Sequence, residues 1–297
     1  MLDQLSSIYA VAGSWLSALV PDIQDPSRRL YWVFILSSAM LAIIVVAYEK
    51  RSVNWSNIYR TLFNRQYWFN RSTLTDVSLG AGNSLLRILL LVPLLGSHLL
   101  ITLWVARSLQ KLGDAPDWSL PFGVIAVIYT LTFFLVEDFS RFALHRCMHK
   151  VPWLWRLHKV HHSATVLTPL TLQRVHPLEM TLYYLRGMLV FGGVSGVFVY
   201  LFGRQLSGLD VLGVDLLGFI FNLLGANLRH SHIWLSFGQF ERWFISPAQH
   251  QIHHSSLPEH HDKNFGTWLA IWDRSFNSHL LAGTRKRLSF GLTQSVS

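Results

Sequence analysis

The chain has 297 residues, of which 51% are hydrophobic and 14% charged, and its mean hydropathy is +0.32. A soluble globular chain carries roughly 25% charged residues, so this composition argues against a disordered chain and a soluble enzyme, in favour of a protein dissolved partly in a bilayer. One cysteine, Cys147, excludes an intrachain disulfide framework and a multi-cysteine zinc site. The net charge of +9 reads as the basic cytoplasmic face of a membrane protein, and no nucleic-acid partner is expected. The anomaly is histidine: fifteen, against sixteen acids.

In chain order, residues 1–20 lack a basic n-region and carry Asp3, which argues against a cleaved signal peptide. Leu2, Leu5, Ile8, Trp15, Leu16 and Leu19 fit an interfacial helix there. Residues 30–48, 88–106, 118–136 and 187–203 are runs without charge apart from their flanks. At 1.5 Å per residue such runs cross a hydrocarbon core of roughly 30 Å. A fifth run, 209–228, is interrupted by Asp210 and Asp215, and an acid inside a span has to face the bundle or water. Placing 49–87, 137–186 and the C-terminal segment on one side collects 20 of the 25 basic residues there, so the positive-inside rule puts these segments in the cytoplasm. Little of the chain alternates with period two. The expected fold is all-α, an integral-membrane bundle of four to five spans with a helical cytoplasmic cap. The expected organisation is an N-terminal membrane region over 1–118 with two spans, a catalytic domain over 119–283 and a polar tail over 284–297.

Fourteen of the fifteen histidines follow residue 144. Ten of these fall into four groups: His145 and His149; His158, His161 and His162; His230 and His232; and His250, His253 and His254. One H-x-x-H-H pattern arises by chance on the order of 0.04 times in a chain this rich in histidine, and this chain has two. Residues i, i+3 and i+4 share a helix face, so three helices aim eight imidazoles into one space and His230 makes nine. Neutral imidazole is the commonest metal ligand, and nine exceed what one ion takes; two ions are expected. A histidine-rich tract also occurs where ions are scavenged, so a membrane metal transporter or sensor is the reading from another class. Against it, these histidines sit in apolar, tryptophan-rich helices, and the spans are nearly free of acids. His98 and His279 stand alone and are taken as structural, and His260 and His261 as surface or supporting residues. Cys147 faces away from the paired histidines and is expected in the core.

The run from Asp138 through His145-Arg-Cys-Met-His149, Val151-Pro-Trp-Leu-Trp155, His158-Lys-Val-His161-His162-Ser163 and Arg174-Val-His-Pro-Leu-Glu179 resembles the fatty acid hydroxylase/sterol desaturase superfamily. So does Pro247-Ala-Gln-His250-Gln-Ile-His253-His254-Ser255, followed by Asn264-Phe-Gly266 and Trp272-Asp273. The departures are His232, where relatives often have asparagine, Arg141-Phe142 before the first box, and Phe276-Asn277-Ser278 after Trp272-Asp273. The resemblance implies an integral-membrane, non-haem di-iron enzyme using O2 on a lipid. Zinc fits the same donor set but has no redox chemistry, so an O2 enzyme needs iron. On this reading the chain is a lipid hydroxylase with His145, His149, His158, His161, His162, His230, His250, His253 and His254 as ligands to two iron ions. A desaturase on the same centre is the alternative. Electrons come from a separate ferredoxin- or cytochrome-type donor with its reductase, and the expected location is a bacterial inner membrane. His176, His232, Asp138 and Glu179 are candidates for additional ligands or for the groups that orient ligands. Asp138, seven residues before His145, either accepts from a ligand's second ring nitrogen or is a helix-entry acid. His176 and Glu179, three residues apart, form a candidate pair.

Overall fold

The computed structural model describes residues 24, 29–96, 98–203 and 216–292. The expectations for residues 1–20 and for Asp210 and Asp215 lie outside these. Four segments are long and apolar enough to cross a membrane: Trp32–Lys50, Arg71–Leu112, Phe122–Lys150 and Pro177–Phe202. The described residues contain no β-strand, only the isolated bridges Phe244↔Leu269 and Ser255↔Phe290.

Helix α1 (Trp32–Lys50) ends where Arg51 turns left-handed at φ 49° and its N–H caps the Ala47 and Tyr48 carbonyls. Two short helices, α2 (Trp55–Leu62) and α3 (Arg65–Trp68), follow, each capped by an asparagine side chain. Asn70 caps α4 (Arg71–Leu86) in the same way. The expected uninterrupted span over 88–106 is broken in the structure. Helix α4 passes into a π-helical turn over Arg87–Leu91, then one turn, α5 (Val92–Leu95), and stops at Gly96 with φ 72° before α6 (His98–Leu112). Pro93 accounts for much of this. Its missing N–H leaves a carbonyl in the preceding turn without its donor, and a widened π turn accommodates that gap.

The third charge-free run is the first half of a longer helix, α7 (Phe122–Lys150), which continues through the first histidine pair. Helix α8 (Pro152–His162) begins after a one-residue break, Val151, with proline at its first position. Helix α9 (Pro177–Phe202) likewise extends the fourth run toward its N-terminus. Of the fifth run, α10 (Leu216–Leu223) is the α-helical part among the described residues. Two short helices, α11 (Pro247–His253) and α12 (Ile271–Ser275), complete the cap.

Contacts fix the helix directions. Tyr129 Oη lies 3.0 Å from Ser195 Oγ, Phe133 packs edge-on against Phe191, and Arg186 reaches Glu137, so α7 and α9 run antiparallel. Helix α6 runs alongside α9 in the same direction, with Ile101 against Gly192 and Val105 against Gly196. Helix α1 lies on α10, with Phe34 on Phe219, and its later turn packs Val46 against Ile233. Helices α1, α7 and α10 therefore end, and α9 begins, at one end of the bundle. Residues 151–176 and 224–292 collect there as the cap. Leucine gains nothing by leaving lipid for another helix, so close packing holds such a bundle together. Gly192 and Gly196, four residues apart, provide it: a Cβ on Gly196 would stand 2.6 Å from Val105 Cβ and 2.8 Å from the Thr102 carbonyl.

Gly196→Ala should therefore destabilise the detergent-solubilised protein by about 1–3 kcal/mol through overpacking. Gly193→Ala, where a Cβ meets nothing within 4 Å, should be neutral or stabilising by up to about 1 kcal/mol. Thermal unfolding of the two variants checks the difference, and equal midpoints would contradict the close-packed seam.

Candidate metal centre

Helix α7 ends at the cap with His145 and His149 one turn apart, α8 carries His158, His161 and His162, and α11 carries His250 and His253 with His254 as its C-cap. The α11 helix is started by a capping box in which Ser246 and Gln249 satisfy each other's backbone N–H groups. His230 follows the short turn Ala226–Leu228.

Nine histidines meet in two groups. His145, His149, His158, His162 and His253 form one; His161, His230, His250 and His254 form the other; within each, one ring nitrogen per residue lies within 4.8 Å of all the others. Each i, i+4 pair stays together: 145 with 149, 158 with 162, 250 with 254. The residue at i+3 crosses to the neighbouring group, His161 one way and His253 the other. The H-x-x-H-H pattern thus serves two adjacent sites from one helical turn, which is why the two patterns are needed as a pair.

Four of the outer ring nitrogens are held by the protein. His145 Nδ1 donates to the Phe265 carbonyl at 2.8 Å, His161 Nδ1 to the Arg174 carbonyl at 3.1 Å, and His253 Nδ1 to the Lys263 carbonyl at 2.8 Å. His158 Nδ1 lies 2.7 Å from Glu179 Oε1. A carbonyl or carboxylate only accepts, so these four rings carry their proton on Nδ1 and, when neutral, present a bare lone pair at Nε2. Yet His145 Nε2 faces His158 Nε2 at 3.2 Å, and His161 Nε2 faces His230 Nε2 at 3.2 Å. His230 Nε2 also lies 3.0 Å from both His250 Nε2 and His254 Nε2. The Nε2 atoms of His149, His162 and His253 are buried without any hydrogen-bond partner. His145 and His158 thus face each other as two lone pairs with no proton between them, which repel, and a cation bound by both reverses the sign. The donor set therefore fits two metal ions.

Burial sets the protonation. It pushes His158 down to about 3, and pushes His161 down to about 3 with His158 adding to the effect. Burial also drives His162, His230, His250, His253 and His254 well below the ordinary histidine value, reinforced by neighbouring imidazoles. All are neutral at physiological pH, the form that ligates metal.

The loop over 263–266 supplies two of the accepting carbonyls. Asp273 fixes it by accepting from the Phe265 and Gly266 N–H groups at 2.8 and 2.7 Å and from Ser278 Oγ at 2.6 Å. A Cβ on Gly266 would come 2.8 Å from that carboxylate, so only glycine fits there. Asn264, at φ 57°, holds the Leu280 backbone through both sides of its carboxamide. Asp138 does not hydrogen-bond a histidine ring. Its carboxylate takes the Trp268 and Leu269 N–H groups at 2.9 and 3.0 Å and Trp272 Nε1 at 2.9 Å, pinning the same loop to α7. Glu179 pairs with His158 and not with His176. His176 is the N-cap of α9, its Nδ1 accepting from Leu178 N–H at 3.2 Å, and His232 donates from Nε2 to the Thr61 carbonyl at 2.9 Å. Neither joins a group. His98 packs on Phe191, and His279 bonds the Glu241 carbonyl. His260 is buried and His261 exposed. Cys147 turns away from the histidines as expected, but it is exposed and not in the core.

One residue on the frame was not singled out from the sequence. Asp76 on α4, fully buried, accepts from Arg174 Nε at 2.6 Å and from Thr171 Oγ1 at 2.9 Å. It thereby fixes the residue whose carbonyl holds His161. Asp76 is ninety-eight positions from Arg174, and no local spacing signals the pair.

Residues 130–278 match the Fatty acid hydroxylase family, and the chain belongs to that family. Among similar proteins are an alkylglycerol monooxygenase of Danio rerio, 28% identical over 164 residues covering 55% of this chain and 32% of the relative, and one of Caenorhabditis elegans, 25% identical over 48% of this chain and 25% of the relative. Ornithine lipid hydroxylase OlsE of Rhizobium tropici is 27% identical over 54% of this chain and 42% of the relative. The match thus spans a quarter to less than half of the length of these relatives. No solved structure matches the chain at a significant level.

The unfolded chain protonates His158 and His161 near pH 6.5, and the fold holds these two neutral down to about 3. Stability of metal-stripped protein is thus fully present above about pH 6.5 and falls as pH drops toward 3, by up to about 1.4 kcal/mol per unit for each such histidine. Thermal midpoints across this range check it, and a flat profile would contradict the buried neutral rings.

Proposed function

We propose that the nine histidines hold two iron ions and that the protein is a membrane-bound, O2-dependent lipid hydroxylase. The observation that carries the ligand assignment is the convergence of nine histidines in two groups, with the unprotonated Nε2 atoms of His145 and His158 face to face at 3.2 Å. The family membership and the named lipid oxygenases among the relatives support iron and a lipid substrate. The chemistry such a pair supplies when bound is activation of O2 for insertion of one oxygen atom into an unactivated C–H bond. The part of the chain's own residues is to hold the ring nitrogens in place, keep them neutral by burial, and exclude water from the histidine groups. Glu179 and the Phe265, Arg174 and Lys263 carbonyls fix ring orientation.

In this reading 119–283 is the catalytic domain, 1–118 the membrane region that buttresses it through Asp76, and 284–297 a C-terminal tail. Electrons come from a separate ferredoxin- or cytochrome-type donor. The charge bias supports a cytoplasmic cap, and the location in this reading is a bacterial inner membrane.

Iron-replete protein should carry two irons per chain, and cells expressing it should contain a lipid oxidised relative to controls. His161→Ala removes a donor from the four-histidine group and should lower the iron count and abolish lipid oxidation. Glu179→Ala should weaken metal affinity or activity about 10–100-fold, while His98→Ala should change neither. Metal analysis and lipidomics on the same preparations read this out, and product mass separates hydroxylation from desaturation. Full iron and activity in His161→Ala would sink the ligand set.

The orientation has its own check. In a Cys147→Ser background, a cysteine replacing exposed Glu259 should resist a membrane-impermeant thiol reagent in intact cells and react after lysis. Labelling in intact cells would reverse the topology.

A further inference from the structure

Where α1 leaves the bundle, a second feature stands apart from the metal centre. An open cavity of about 480 Å³ is lined by Lys50, Asn57, Arg60, Thr61, Asn64 and His232. No acid lines it. The nearest in sequence, Glu49, is engaged by Arg285 at 2.5 Å. Lys50 and Arg60 are exposed and have no ion-pair partner among the described residues. The Asn64 carboxamide oxygen already accepts from Gln66 N–H at 2.8 Å, which leaves its NH2 as the donor. The cavity therefore offers two unneutralised cations and amide donors to whatever enters it, the chemistry that receives an anion with several oxygens.

The depth of this cavity relative to a bilayer follows from its neighbours. Lys50 is the last residue of α1, a membrane-span candidate. The next helix, α2, turns Ile58 inward and exposes Trp55 (66%) and Tyr59 (64%), with Phe63 (59%) just beyond its end. These three rings recur every four residues and so share one face. Tyr48, Val53 and Phe69 are also exposed nearby in sequence. Aromatic rings on a short amphipathic helix directly after a span are the signature of the headgroup layer. The cations of the cavity then sit at the level of lipid phosphates.

We propose that this cavity is a binding site for the phosphate of an anionic membrane-lipid headgroup. The site adjoins the metal centre without being part of it. His232 on its wall is two residues from His230, and Tyr67, whose ring stands edge-on to His232, donates from its hydroxyl to the Leu167 carbonyl in the cap. Occupation of the cavity would stabilise the junction of α2, α3 and the cap by mass action.

The test uses the full chain in nanodiscs of phosphatidylcholine alone, phosphatidylcholine with phosphatidylglycerol, and phosphatidylcholine with added inorganic phosphate. The readouts are thermal midpoint and retained lipid by native mass spectrometry. Phosphatidylglycerol should raise the midpoint and be retained. The Lys50→Gln/Arg60→Gln variant should lose that shift and bind roughly 10–30-fold more weakly, at about one kcal/mol per basic residue. The charge-matched variant Arg107→Gln/Lys111→Gln, at the far end of α6, should behave as wild type. Equal response in all three proteins would assign the effect to bulk charge and overturn the site. An equal shift with inorganic phosphate alone would make the occupant a free anion and overturn the lipid assignment. An unchanged midpoint in phosphatidylcholine alone confirms that the variant is folded, and because no readout is iron binding or lipid oxidation, the outcome is separate from that of the proposed function.

Discussion

Everything in the cap answers to one electrostatic constraint: nine buried, neutral imidazoles whose inner nitrogens point at one another. Four of them, His145, His158, His161 and His253, are committed to donating outward from Nδ1 to protein acceptors, so their inner faces are bare lone pairs, 3.2 Å from another ring nitrogen in the first three and buried with no partner in His253. Such an arrangement costs free energy in the absence of cations, because each lone pair has lost water and gained only another lone pair. Nine histidines gathered in two groups fit ions, and the remaining structure supplies what holds the rings in place.

That restraint comes from several directions. The 263–266 loop presents two carbonyls to His253 and His145, and is itself held by Asp273 from below and by Asp138 on α7 through Trp268, Leu269 and Trp272. Glu179, in the first turn of α9, holds His158. Asp76 on α4 fixes Arg174 and through it His161. The membrane helices are thus part of the centre's frame: α4, α7 and α9 each contribute one carboxylate to it. The Gly192/Gly196 seam sets how closely α6 approaches α9, and so bears on the helix that carries Glu179.

How much of this the sequence discloses depends on whether the signal is local. The histidine groups are legible because i, i+3, i+4 spacing is a property of one helical turn, and the charge-free runs because a span is contiguous. The division of each H-x-x-H-H pattern between two sites is not legible, since it depends on how α7, α8 and α11 are brought together. Asp138 sits on the same helix as His145 at a suggestive spacing, yet the tertiary arrangement gives it two donors from a loop 130 residues away and a third, Trp272, from α12. His232 and His176 look like ligands by proximity to boxes, but one is drawn to the Thr61 carbonyl and the other to a helix cap. Cys147 was expected in the core on helical phase alone, and its face of α7 is left uncovered. Pro93 and Gly96 are visible breakers inside an apolar run, and hydropathy averaged over the window hides them.

The central claim is that two ions sit in all-histidine sites of five and four donors. X-ray absorption at the iron edge of the iron-loaded protein tests it most directly. The account predicts nitrogen-only first-shell scattering with the multiple-scattering pattern of imidazole, at an average of four to five histidines per iron. One or two imidazoles per iron, or sulfur among the ligands, would contradict it.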